Sequence, residues 1–179
     1  MAVPTGLITV AAFRKVPEDD GPVYHELRHG AVVAVTRPKL KHSIIQARLR
    51  DRIKAVAGPG SYVDSEVAFR PVPEYELRVA DVAYISAERF SDADLDDNIS
   101  GAPDLVAEIV SPSNTFAELN EQEQLCLANG AQEFWIVDPK LRLVRVSTPD
   151  GHTVTYKSGQ RIPLSLFGGT RLVVDEIFP

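Results

Sequence analysis

Cysteine is almost missing from this chain: Cys126 is the only one in 179 residues. A single cysteine excludes an intrachain disulfide and a cysteine zinc cluster, and it fits a reducing, cytoplasmic setting. Long apolar runs are missing as well. None approaches the roughly 20 residues that span a bilayer, so no membrane role is expected. The opening Met-Ala-Val-Pro-Thr-Gly-Leu-Ile has neither the charged start nor the apolar stretch of a secretory signal. There is no phosphate-binding loop, dinucleotide fingerprint or zinc motif. Ser111 lacks the Gly-x-Ser-x-Gly elbow of a serine hydrolase. Lysine disappears between Lys54 and Lys140, which limits the cations open to any site in the middle of the chain. The net charge of -6 speaks against a protein that coats nucleic acid.

Hydrophobic residues make up 44% and charged residues 25%, a composition that suits one globular domain over residues 1–179 with a sizeable core. The charge is uneven. Lys39 to Lys54 holds six basic residues (Lys39, Lys41, Arg48, Arg50, Arg52, Lys54) against Asp51, a local +5, and the remainder, 13 basic and 24 acidic, stands at -11. Such a segment is either a phosphate-contacting edge or a solvated face paired with acids elsewhere.

Thr9 is placed to cap a short helix through Arg14. Glu18 to Pro22 reads as a loop. Val23–Arg28 and Ala31–Arg37 then form a hairpin about His29-Gly30. Pro38 opens a helix whose apolar positions, Leu40, Ile44, Ile45, Leu49, Ile53 and Val56, keep helical spacing until Gly58-Pro59-Gly60 stops it. Strands follow at Ser61–Phe69 and Glu76–Ile85, and the acidic Ser91–Asp97 reads as a loop. Pro103–Val110 is apolar enough for a central strand covered on both faces. Ser111-Pro-Ser113 breaks it, and an amphipathic helix runs from Asn114 to Asn129. Glu133–Asp138 is a further buried strand. Leu141–Ser147 and His152–Lys157 continue antiparallel, and an apolar tail from Ile162 to Phe178 closes the domain. This order predicts an α/β fold, a mixed sheet with helices on its faces.

Two strands each enclose a carboxylate: Asp81 within Val79-Ala-Asp-Val-Ala83, and Glu108 within Val106-Ala-Glu-Ile-Val110. Desolvating a charge there is unfavourable unless a metal, a cationic partner or an exposed strand end compensates it. Mg²⁺ or Mn²⁺ takes hard oxygen ligands and keeps several waters. Asp81, Glu108 and the backbone carbonyl of Ile109 would supply part of such a shell, whereas Arg70 and Arg78 are the alternative, structural partners.

The string Pro103-Asp-Leu-Val-Ala-Glu-Ile-Val-Ser-Pro-Ser-Asn114, followed by Gly130-Ala-Gln-Glu-Phe-Trp-Ile-Val-Asp-Pro139, resembles the Uma2 (DUF820) family. Tyr24-His-Glu-Leu-Arg-His-Gly30 is similar to that family's opening hairpin, and His42 falls where its first long helix commonly carries a histidine. The likeness runs over about residues 8 to 178. It implies a restriction-endonuclease-like domain of the PD-(D/E)XK superfamily, with a mixed sheet core, flanking helices, an N-terminal hairpin and C-terminal antiparallel strands. It also implies DNA hydrolysis with Mg²⁺ or Mn²⁺ at Asp81 and Glu108, and it leaves a homodimer built on the apolar tail open. Three positions depart from the family pattern: Ala80 for proline, Ala31 for an acid, and Val110 for the superfamily lysine. That lysine has moved to the following helix in this family, and there the chain has Gln122. A glutamine cannot act as a cation toward a hydroxide or a phosphate.

Other residues stay open to two readings. Glu66 is either a third acidic ligand or a solvent-facing strand residue, and Glu26 lines the cleft or the surface. His42 contacts phosphate or simply starts a helix. Lys39, Lys41, His42 and Arg48 are the expected nucleic-acid contacts. His25, His29 and His152 read as surface residues, while Cys126, Phe134 and Trp135 read as packing. The site is thus either a metal-dependent nuclease centred on Asp81, Glu108 and Gln122, or a catalytically silent module that binds nucleic acid or protein. A plain structural dimer, with both acids paired to arginines, is the third reading.

Overall fold

The computed structural model describes residues 7–17, 21–111 and 114–179. Parts of two expected breaks, Glu18 to Asp20 and Pro112-Ser113, lie outside the described residues. The Thr9 side chain accepts from the Ala12 amide at 3.3 Å and caps α1 (Val10–Phe13). β1 (Val23–Arg28) and β2 (Ala31–Thr36) pair antiparallel as expected. Their two-residue turn needs positive φ twice, and His29 (49°) and Gly30 (71°) supply it. Leu27 and Leu77 exchange backbone hydrogen bonds of 3.0 and 2.9 Å, which dock the hairpin against the chain just before the strand of Asp81.

α2 (Leu40–Lys54) buries Ile45, Leu49 and Ile53. Leu40 belongs to the same apolar stripe but is 77% exposed, because the helix first meets the core one turn later. β3 (Tyr62–Arg70), β4 (Arg78–Ile85), α3 (Ala87–Ser91), β5 (Ile99–Ser100), β6 (Leu105–Ile109), α4 (Phe116–Ala128), β7 (Glu133–Asp138), β8 (Leu143–Ser147) and β9 (Thr153–Lys157) follow. The strands assemble a seven-stranded sheet in the order β5-β3-β4-β6-β7-β8-β9. β3–β5 and β6–β7 are parallel and the other neighbours antiparallel. The mixed sheet and the β6–α4–β7 crossover are those read from the sequence. Within the acidic stretch expected as a loop, Asp97 is anchored by Arg14 and, at 2.8 Å, by Arg70.

Apolar side chains pack on both faces of the sheet. Ile45, Leu49 and Ile53 of α2 meet Leu105, Ala107, Ile109, Trp135 and Val137 on one side. Leu119 and Cys126 of α4 meet Val106, Phe134 and Ile136 on the other. Every residue of β6 is buried, as its near-continuous apolar run predicts. β10 (Arg161–Leu164) and β11 (Thr170–Val173) form a separate hairpin. The apolar tail does not stay free to build an interface: Ile162, Leu164, Leu172, Val174, Ile177 and Phe178 all enter the α2-side core of their own chain. Among the described residues no helix is long and apolar enough to cross a membrane.

α4 starts at Phe116, two residues later than its apolar pattern suggests, because Thr115 and Glu118 form a reciprocal capping box. Thr115 Oγ1 accepts from the Glu118 amide at 3.1 Å, and Glu118 Oε2 accepts from the Thr115 amide at 2.8 Å. Thr115→Ala should therefore destabilise the protein by about 1 kcal/mol. In a domain of this size that amounts to a fall in Tm of about 2–4 °C, measurable by thermal or urea unfolding.

Candidate active site

Asp81 lies in the middle of β4, not near its end, at a point where the sheet's ladder is interrupted on both sides. The β4–β6 pairing runs Tyr84↔Leu105, Ala83↔Val106, Val82↔Ala107 and stops before Asp81 and Glu108. The β3–β4 pairing skips Glu66 and Asp81 between Ser65↔Val82 and Val67↔Ala80. Glu66 has φ of 56°, an unfavourable conformation for a residue with a Cβ. The alternation of faces slips at the same place. Ala80 packs with the α4-side core, and Val82, which strict alternation would put beside it, packs with the α2-side core.

That irregularity aims the Asp81 carboxylate at three donors. Its Oδ2 accepts from the Ile109 amide at 2.6 Å. Its Oδ1 accepts from Gln46 Nε2 at 3.0 Å and meets His42 Nε2 at 2.9 Å. His42 and Gln46 are one turn apart on α2 and so share a face. Gln46 also bonds the Glu66 carboxylate, which ties Glu66 to Asp81 through one amide. Glu108 reaches α4, where Gln122 Nε2 donates to its Oε1 at 2.9 Å. Gln122 thus meets Glu108 as a buried neutral amide.

The hairpin supplies a second layer that the sequence reading left largely unassigned. Tyr24, Glu26 and Arg28 alternate on one face of β1. Glu26 is buried and not at the surface, and it accepts from Arg28 Nε at 2.9 Å and the Val79 amide at 3.2 Å. Burial raises the Tyr24 phenol far above its usual range, and Glu26, Glu108, Glu66 and Asp81 add to the effect. One hydroxyl thus feels all four carboxylates. The spacing Tyr24-x-Glu26-x-Arg28 was the available signal for this layer. For Gln46 the only signal was its position four residues after His42.

Glu108 is held well above the ordinary carboxyl value of 4.5, first by burial, then by Asp81 and Glu26, with Arg28 opposing. Burial works against a charged His42, but the hydrogen bond and charge of Asp81, with Glu66, outweigh it and raise the imidazole pKa. Neither Asp81 nor Glu108 forms an ion pair with an arginine among the described residues. Arg70 pairs with Asp97 at 2.8 Å, and Arg78 with Glu76 at 2.7 Å and Glu121 at 3.2 Å. The structural-partner reading loses its arginines.

Among the described residues no three His, Cys, Asp or Glu side chains converge to hold a metal ion by themselves. The donor chemistry nevertheless suits a hard divalent cation, which is commonly held by one or two carboxylates and several waters. Glu108 is buried with no ion-pair partner among the described residues, and Asp81 and the Ile109 carbonyl belong to the same break in the sheet. Of the expected nucleic-acid contacts, Lys39 and Lys41 are exposed at the start of α2 beside His42. Arg48 does not join them. It lies more than a turn further along and bonds the carbonyl of Phe178, because the C-terminal segment packs there.

The accumulated negative charge has a measurable cost. Because the folded-state pKa of Glu108 is raised, the native protein prefers its protonated form. Stability is therefore full below the ordinary value of 4.5 and is lost as pH rises through the folded value. Glu108→Gln should raise Tm at neutral pH, by about 2–4 °C for each kcal/mol relieved. The difference from wild type should vanish below pH 4.5, as read by thermal unfolding across that window.

A family model described as "Uma2: Putative restriction endonuclease" matches residues 10–175. Among solved structures, "a putative nuclease belonging to DUF820" from Anabaena variabilis ATCC 29413 is 25% identical in sequence. The superposition covers 96% of this chain and 97% of that one, with a TM-score of 0.80. No curated protein matches. With a nuclease-like mixed sheet, an N-terminal hairpin and a family match over most of its length, this chain belongs to the Uma2 family.

Proposed function

We propose that the protein is a divalent-metal-dependent nuclease that hydrolyses DNA phosphodiester bonds at the break between β4 and β6. The observation that carries this reading is the placing of Asp81 and Glu108 on adjacent strands where their ladder stops, with neither ion-paired to an arginine among the described residues. Asp81, Glu108 and the carbonyl of Ile109 would hold Mg²⁺ or Mn²⁺, with Glu66 as the further acid that Gln46 draws toward Asp81. Such an ion, when bound, activates a water and stabilises charge on the phosphate. The chain's own residues do the positioning. His42, Gln46 and the Ile109 amide fix the Asp81 carboxylate, and Gln122 fixes Glu108. Lys39 and Lys41 extend from the helix start that carries His42 and offer charge to the DNA backbone. The lone buried thiol of Cys126 suits a reducing compartment such as the cytoplasm.

A second reading has a specific observation behind it. Gln122 brings no charge to Glu108, and a site without that cation would be a silent module that binds DNA or a protein partner. Nicking of supercoiled plasmid in Mn²⁺ or Mg²⁺ separates the two. The nuclease reading expects cleavage by wild type and a loss of about 10² or more in Asp81→Ala. Equal cleavage by both, or none by wild type, would sink it. Lys39→Ala and Lys41→Ala should each weaken binding to any duplex and lower the slope of log affinity against log salt by about 1. An unchanged slope would remove these lysines from the interface.

A further inference from the structure

Gln122 brings no charge to Glu108 and no lysine lies between Lys54 and Lys140, yet a phosphate approaching Glu108 still needs a positive partner. Four cations stand near the acids of this site, and Arg37, which acts on Glu66, donates Nε to the Gly21 carbonyl at 3.2 Å. His42 is engaged with Asp81 at 2.9 Å. Arg78 is fully enclosed by Glu76 at 2.7 Å and Glu121 at 3.2 Å. Arg28 is different. It is 18% exposed, so it is anchored in the protein but still reachable from solvent.

Its anchoring is directional. Arg28 Nε donates to Glu26 Oε2 at 2.9 Å, and the other oxygen of Glu26 is taken by the Val79 amide at 3.2 Å. Arg28 Nη1 reaches Glu118 Oε1 at a longer 3.5 Å, while Glu118 Oε2 is committed to the α4 cap through Thr115 at 2.8 Å. Nη2 has no acceptor among the described residues. Glu118 and Gln122 are one turn apart on the same face of α4, and Gln122 is the residue that holds Glu108. The guanidinium thus comes from the hairpin to the helix surface from which the missing lysine would project. Arg28 is also the cation that offsets the charge-unfavourable surroundings of Glu108.

We propose that Arg28 is the phosphate-binding cation of this site, replacing from β1 the lysine that α4 no longer supplies. Nη2, joined by Nη1 as the long contact to Glu118 gives way, donates to the non-bridging oxygens of the DNA phosphate beside Glu108. A planar guanidinium suits two-point recognition of a phosphate better than an ammonium does. The inference rests on the nuclease reading for its catalytic consequence, but not for the contact with phosphate.

Two readouts keep those apart: the rate of plasmid nicking in Mn²⁺, and the affinity for a short duplex in Ca²⁺. Arg28→Gln should slow nicking about 10²-fold and weaken duplex binding about tenfold. Gln122→Lys should raise the nicking rate by a larger factor in Arg28→Gln than in the wild type. The double variant Glu26→Gln/Arg28→Gln, which strands no buried carboxylate, should behave as Arg28→Gln does, with a wild-type Tm. Nicking and affinity unchanged in either Arg28 variant would overturn the proposal, as would a Gln122→Lys gain that is the same with and without Arg28. If wild type cleaves nothing, the nuclease reading fails, and the duplex affinity alone then decides: a tenfold weakening upholds the phosphate contact and an unchanged value rejects it.

Discussion

The Asp81 carboxylate does the work of a backbone acceptor. Where β4 and β6 part company, the Ile109 amide points into a gap, and Oδ2 fills it at 2.6 Å. An amide buried without an acceptor would cost about 1–3 kcal/mol. The same carboxylate gathers His42 and Gln46 from α2 and, through Gln46, Glu66 from β3. One side chain therefore connects a helix and three strands at a place where the sheet's own hydrogen bonds are missing. The positive φ at Glu66 belongs to that irregularity.

Charge is distributed unequally around this point. Glu26, Glu66, Asp81 and Glu108 converge, and among the described residues Arg28, Arg37 and His42 bear on them as cations. The two acids most concerned have separate environments. Asp81 is surrounded by donors, whereas Glu108 is buried among like charges with one amide donor, Gln122. A surplus of this kind favours binding of a cation or a cation-bearing ligand, because either would lower the electrostatic cost of burying the acids. Burying Glu108 among like charges works against fold stability.

Much of this was legible in the residues, and the exceptions share a cause. The apolar run around Glu108 reads as a fully buried strand and is one. The hairpin about His29-Gly30 and the helix from Leu40 follow from turn chemistry and periodicity. Arg48 reads as a DNA contact because it lies in a basic run, and the structure adds a bond to the Phe178 carbonyl that the run does not foretell. The apolar tail looked like an interface for the same reason, since a sequence does not say which surface a segment will cover. Glu26 read as surface or cleft with equal ease, and only its meeting with Arg28 and the Val79 amide buries it.

What the sequence determined by itself was the local and the periodic: element order, buried strands, helix stripes, and the presence of one acid in each of two apolar runs. Those features depend on neighbours within a few positions, where propensity and alternation act directly. The tertiary structure alone decided which acids meet which donors. Asp81 and Ile109 are 28 positions apart, Gln46 and Asp81 are 35 apart, and Val79 and Glu26 are 53 apart. Such contacts are set by a slip in the sheet's alternation and by the docking of the hairpin, and no pattern along the chain encodes the angle at which a side chain emerges from a break in a ladder.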